Sequence, residues 1–185
     1  KEFRPDELQE VRKKSIGVSL RDAAGLEEAV PGVAFTGPRV RVNPWSVRAR
    51  GGKSEAKVSG VSWRHAELVS LPLAAGRFLS KEDEEGHAQV CVLGDGARRD
   101  LFGGEPALGR VLKVNDVWFT VVGVLAASGE AGDTFQGVPV GSTTRELFVP
   151  YTTALRKLDR DPLESPLSEL VVKLKDGASP SGSAR

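Results

Sequence analysis

Short alternations of apolar and polar side chains dominate the chain, separated by clusters of turn residues. Val40-Arg-Val42 and Lys57-Val-Ser-Gly-Val61 alternate in this way and predict strands. Between them Arg50-Gly-Gly-Lys53 has the chemistry of a hairpin tip. Val90 to Leu93, Val111 to Val114, Val117 to Leu125, Leu147 to Val149 and Leu170 to Leu174 predict further strands, with Asn115-Asp116 turning the chain between two of them. Phe119 and Val121 share one face of their strand, opposite Thr120, and mark it as central.

Helical patterns are fewer and shorter. Pro5-Asp6-Glu7 opens one, with Leu8, Val11 and Ser15 on a common face. Ser19-Leu-Arg-Asp22 resembles a capping box and starts a second, which Pro31-Gly32 ends. Trp63 to Leu71, Ala97 to Phe102 and Tyr151 to Leu158 predict short helices, the last with Pro150 in its first turn, and Ser80-Lys-Glu-Asp83 is another capping box. Gly129 to Ser142 is rich in glycine and polar residues and predicts a long mobile loop. Arg160 to Pro166 reads as a linker and Gly177 to Arg185 as a disordered tail. No internal repeat is visible.

Composition narrows the function classes. Twenty-six basic side chains nearly balance 25 acidic ones, and a net charge of +1 argues against nucleic-acid binding and against a polybasic grip on lipid. Cys91 is the single cysteine, so no disulfide forms within the chain, and its apolar setting in Gln89-Val-Cys-Val-Leu93 predicts a buried, inert thiol. Methionine is absent and the chain starts at Lys1, so a piece of a longer protein is expected. The longest nearly apolar stretch, Phe119 to Ala127, falls short of the roughly 20 residues that a membrane helix needs.

The chemical motifs lead to no site. Gly94-Asp-Gly96 follows a strand and opens a helix, but Arg99 stands where a dinucleotide fingerprint needs its third glycine, so a tight strand-to-helix turn is the reading. Gly51-Gly-Lys-Ser54 resembles the end of a phosphate loop, yet Val47 occupies the place of its first glycine, which leaves a solvated hairpin. His65 and His87 lie beside charged residues and read as surface histidines. The run Glu82-Asp83-Glu84-Glu85 reads as a solvated helix start. Trp118 is expected in a strand core and Trp63 at a packing junction, while Trp45 stands apart from both. There is no Gly-x-Ser-x-Gly elbow. No catalytic, cofactor-binding or metal-ligating residue is assigned, no cofactor is expected, and the chain is not expected to be an enzyme.

One ordered set of segments carries a family resemblance. Lys57-Val-Ser-Gly-Val61 is followed by Gly76-Arg-Phe78, Ser80 and Asp83, then Gln89-Val-Cys-Val-Leu93, Leu101-Phe-Gly103 and Pro106-Ala-Leu-Gly109. Phe119-Thr-Val-Val-Gly-Val124 and Phe148-Val-Pro-Tyr-Thr-Thr153 complete it, with Gly17-Val-Ser-Leu-Arg-Asp22 and Val30-Pro-Gly-Val33 upstream. This order resembles the periplasmic core domain of MacB-like ABC transporter permeases, the group of macrolide exporters and lipoprotein-releasing permeases. In this frame Gly76, Gly109 and Gly123 are expected at turns or close approaches, and Phe102, Phe119 and Val121 in the core.

The resemblance implies an α+β fold in two subdomains. Residues 1–60 would form the first part of a Porter-like α/β subdomain, residues 61–165 an inserted β-rich Sabre-like subdomain, and residues 166–185 a truncated second Porter part. The chain would cross between them near Lys57–Val61 and near Asp159–Pro166, and these crossings are expected to act as hinges. The implied partners are transmembrane helices of the parent chain, an ABC nucleotide-binding domain or subunit, a periplasmic adaptor protein, and a second permease in a homo- or heterodimer. The implied place is the extracytoplasmic side of the inner membrane, and the implied role is to relay ATP-driven conformational change to an adaptor or cargo. Two other readings compete. One is a stand-alone ligand- or protein-binding module of the same fold. The other is a hydrolase, which would need convergent titratable groups that the sequence does not display.

Overall fold

The computed structural model describes residues 32–69, 71–127, 144–158 and 167–174, together with residues 25, 29–30, 134–135 and 138–139. The helices expected from Pro5 and from Ser19, the Arg160–Pro166 linker and the Gly177–Arg185 tail lie outside the described residues, apart from two isolated helical positions at Gly25 and Ala29.

Strands appear where apolar and polar residues alternate. They are β1 (Val33–Val42), β2 (Val47–Ala49), β3 (Gly52–Ser54), β4 (Lys57–Val61), β5 (Leu73–Gly76) and β6 (Val90–Leu93). After them come β7 (Val111–Val114), β8 (Val117–Leu125), β9 (Thr134–Phe135), β10 (Val138–Pro139), β11 (Glu146–Pro150) and β12 (Glu169–Leu174). The helices are α1 (His65–Val69), α2 (Lys81–Glu85), α3 (Asp95–Phe102) and α4 (Tyr151–Lys157). The class is α+β and β-rich, as expected. Within the expected mobile loop, β9 and β10 pair with each other.

Among the described residues ten strands form one mixed sheet in the order β12-β1-β4-β11-β6-β8-β7-β2-β3, with β5 added beside β8. Two of its joints are parallel, β4 with β11 and β6 with β8. The β2–β3 hairpin follows β1 directly in the chain, but five strands stand between β1 and β2 in the sheet order, because the hairpin pairs with β7 and not with β1. β1 starts seven residues before the predicted Val40, and Pro38 explains how the strand can run through a proline. Among the described residues only β12 flanks β1 along residues 33–38, and β4 joins at Arg39, so Pro38 has no ladder partner there on its second side.

Strand parity sorts the side chains onto two faces. Val40, Val58, Leu93, Phe119 and Leu147 point toward α3 and α4 and form the larger core with Leu101 and Ala154. Val61, Val92, Leu125 and Phe148 point the other way, onto Phe78 and Leu79 and the flank of α1. Cys91 is fully buried in the larger core, and burial pushes its thiol far up. Phe119 and Val121 are 1% exposed, as their parity predicts. Trp118 falls on the opposite parity and is 56% exposed, so it is not a core residue: the face of β7–β8 that it occupies has no covering helix among the described residues. Gly76 and Gly109 adopt positive φ values of 76° and 74°. A Cβ on Gly123 would come within 2.1 Å of the Arg77 carbonyl oxygen, which is the close approach the sequence implied.

Candidate functional site

The point where early and middle segments of the chain meet is the β4–β11 joint, and a polar cluster sits on it. Alternation along β1 sends Val40 and Val42 into the larger core and leaves Arg39 and Arg41 on the other face. Arg39 reaches across β4 and forms an ion pair with Glu146 of β11. The same guanidinium donates to the Ser59 hydroxyl at 3.2 Å, and the Ser59 hydroxyl donates to Glu146. Glu169 of β12 lies 3.5 Å from Arg39 and also pairs with Arg41. Four neighbouring strands are thus joined by one cluster.

Burial sets the strength of this arrangement. The Glu146 side chain is 9% exposed, and a carboxylate there is tolerable only because a cation and a hydroxyl both serve it. The Nε of Arg39 has no partner among the described groups, so that guanidinium is not fully satisfied even so. His65 lies behind the cluster, 3% exposed, its ring 5.6 Å from that of Phe148. Burial first, and the charge of Arg39 second, lower its pKa to about 4. The surface position expected for His65 is therefore overturned: α1 turns the ring onto the sheet, while neighbouring Arg64 takes the outer position over Trp63 and Phe35. His87 is half-buried with its Nδ1 unpartnered among the described groups.

The acidic run also departs from the solvated reading. Ser80 caps α2 through a complete capping box with Asp83. Arg77 grips the Asp83 carboxylate with two hydrogen bonds, at 2.5 and 3.1 Å. Burial works to raise the Asp83 pKa, but the bonds from Arg77 and the Ser80 backbone outweigh it and hold the carboxyl below its usual range. Glu84 accepts from the Trp63 backbone N–H at 2.9 Å, and burial raises its pKa. Glu82 and Glu85 alone face solvent. Thr152 donates to the Glu84 carbonyl and Thr153 to that of Ala88, so α2 is tied to α4.

The glycine motifs have structural explanations. Gly51 and Gly52 lie against α3, where a Cβ would come within 2.9 Å of the Leu101 carbonyl oxygen and 2.2 Å of that of Asp100. The Ser54 hydroxyl donates to Asp100 at 2.9 Å. Gly94 is the N-cap of α3, and Gly96 leaves room for Thr144, 2.9 Å from where its Cβ would stand. Among the described residues no three His, Cys, Asp or Glu side chains gather as metal ligands, and no helix is long and apolar enough to cross a membrane. Sequence reasoning missed the Arg39–Ser59–Glu146 cluster. The alternation Arg39-Val-Arg41-Val42 was its visible half, but Glu146 stands 107 positions away.

Comparison with known proteins places this architecture. The chain matches the MacB-like periplasmic core domain family over residues 3–184. A macrolide export ATP-binding/permease protein MacB of Campylobacter jejuni is 32% identical over 127 residues, covering 67% of this chain and 18% of that protein. The protein of the same name from Burkholderia thailandensis is 34% identical over 131 residues, 70% of this chain and 18% of its own length. The chain thus spans less than a fifth of the length of these two relatives. Among solved structures, the periplasmic region of MacB from Actinobacillus actinomycetemcomitans superposes with a TM-score of 0.71 at 21% identity, covering 89% of this chain and 68% of that one. The extracellular domain of the noncanonic ABC-type transporter YknZ from Gram-positive bacteria gives 0.70 at 17% identity, covering 90% and 78%. These two likenesses show the fold. The family match reaches almost from end to end, and the chain belongs to the MacB-like periplasmic core domains.

Proposed function

We propose that this chain is the extracytoplasmic part of an ABC-type permease, and that it relays ATP-driven movement of the membrane part to an adaptor or cargo outside. It does so without a catalytic centre of its own. The family match supports the location, and relatives named as ATP-binding/permease proteins support the energy source. In this reading β1, β4 and β12 carry the Porter-like part, and the strands from β5 to β11 carry the Sabre-like part. The β2–β3 hairpin goes with the latter, because it pairs with β7 and packs on α3.

The observation that carries the mechanical reading is the β4–β11 joint. Lys57–Val61, expected as a hinge, is a strand held on both flanks, by β1 and by β11. The second crossing, Asp159–Pro166, lies outside the described residues. A paired strand braced by a buried ion pair resists shear, so the two parts move as one body at this joint. A cysteine pair at Lys57 and Arg145 tests this in the full transporter, in a Cys91→Ser background. Both side chains are exposed, and the Lys57 N–H donates to the Arg145 carbonyl at 3.0 Å. Cross-linking is expected to leave export intact. Loss of export with expression and basal ATPase activity retained would show that the parts slide at this joint.

A further inference from the structure

The outer half of the sheet carries a row of like charges that folding does not account for. Lys53 of β3 is directly opposite Arg48 of β2, Arg48 is opposite Lys113 of β7, and Lys113 is opposite Trp118 of β8. All four side chains lie on the face away from α3, because Val47, Leu112 and Phe119 take the buried parity beside them. Lys113 stands 6.0 Å from the Trp118 ring and pairs with Asp116, which is itself on the surface. Arg48 and Lys53 have no ion pair among the described residues.

Like charges directly opposite each other on neighbouring strands destabilise a sheet. A lysine on the edge strand β3 is explained, since edge cations discourage strand-to-strand aggregation. Arg48 and Lys113 are on interior strands, where that explanation fails. Two places along β7 from Lys113, and on the same face, stands Val111, 52% exposed and opposite Thr120. Trp118, 56% exposed, closes the charged row on the same face. The surface is therefore a line of three cations that ends on Trp118, with Val111 exposed beside Lys113 on the same face.

We propose that this strip is a docking surface for an acidic, amphipathic segment of a partner protein. Carboxylates along one flank of the segment would meet Lys53, Arg48 and Lys113, and apolar side chains on its adjoining flank would cover Val111 and, at the end of the cation line, Trp118. A lipid surface fits less well. To enter a bilayer the apolar side chains must project beyond the cations, and here Trp118 and Val111 rise from the same sheet face as the cations, directly beside Lys113. The proposal rests on the sheet face alone and holds whether or not the chain acts as a relay.

The test uses the whole chain and a synthetic helical peptide of about 18 residues, with glutamates on one flank and leucines on the adjoining one. Its companions are the same peptide with glutamines for glutamates, and vesicles of phosphatidylglycerol or of phosphatidylcholine. Binding is read by anisotropy of the labelled peptide and by the indole N–H resonance of Trp118, assigned with Trp118→Phe. The acidic peptide is expected to shift that resonance and to bind more weakly as salt rises. Arg48→Glu should weaken it by about tenfold or more, a change of 1.4 kcal/mol or more. The same variant should unfold at a higher temperature than the wild type, since it turns two repulsive cross-strand pairs into attractive ones. Equal binding by Arg48→Glu or by the glutamine peptide would overturn the proposal. So would the absence of acidic-peptide binding, or a Trp118 shift produced by phosphatidylglycerol vesicles instead.

Discussion

His65 shows how burial can convert an ordinary side chain into a pH-sensitive one. Its ring is enclosed by the sheet and α1, and its pKa is lowered to about 4 from the ordinary 6.5. The unfolded chain therefore takes up a proton at a higher pH than the folded one. The contribution is complete above about pH 6.5 and is lost as pH falls through the interval toward pH 4. Integrated over that interval it amounts to about 3 kcal/mol. Glu84, raised by burial, acts in the opposite sense, and Asp83, held low, acts only at lower pH. Urea unfolding of wild type and His65→Leu between pH 7 and pH 4 isolates the histidine. The wild type should lose stability faster, and parallel curves would show that His65 is protonated as easily in the fold as out of it. At Val121, 1% exposed on the central strand, the chemistry is simpler. Val121→Asp buries an unpaired carboxylate and should cost several kcal/mol, the order of a small domain's whole margin. Unchanged thermal unfolding would contradict the burial of that face.

At the scale of elements, the hairpin β2–β3 is the clearest case of one element shaped by another. Its glycines resemble a fragment of a phosphate loop in sequence, and the fold uses them to bring the hairpin backbone against α3. Gly52→Ala would push a Cβ to within 2.2 Å of the Asp100 carbonyl oxygen, a backbone atom that cannot rotate away. A cost of about 1–3 kcal/mol is expected from that overpacking, together with loss of the Ser54–Asp100 hydrogen bond. Gly51→Ala, at 2.9 Å from Leu101, should cost less. Equal thermal stability of wild type and Gly52→Ala would show that the hairpin does not seat on α3. The hairpin itself was legible from Arg50-Gly-Gly-Lys53, because turn chemistry is local. Its partner strand was not, because sequence order does not say which edge a hairpin joins. The same division holds for α2: the Ser80–Asp83 capping box was readable, while the grip of Arg77 on Asp83 depends on how the chain turns at Gly76.

For the whole molecule the Arg39–Glu146 pair is the decisive link, since it bridges strands from opposite parts of the chain. Arg39→Met leaves Glu146 buried without its cation and should cost about 3–5 kcal/mol. The double variant Arg39→Met with Glu146→Leu removes both charges and should recover most of that loss, as apolar replacements of buried pairs commonly do. Denaturant unfolding of the two single variants and the double variant measures the coupling. Additive losses would mean that the pair contributes nothing as a pair. Val90 to Leu93, Val111 to Val114 and Val117 to Leu125 were predicted at their observed bounds, and the ordered motifs pointed to the family that the whole-chain match shows. Period-2 alternation and turn residues determine such strands locally, so the sequence by itself was enough for them. The positions of His65, Trp118 and Glu146 were decided by tertiary structure. Each depends on what covers a given sheet face, and that is set by contacts between segments far apart in the chain. The sheet covers His65 once α1 packs on it, nothing among the described residues covers Trp118, and Arg39 arrives beside Glu146 only once β4 has paired with both of their strands.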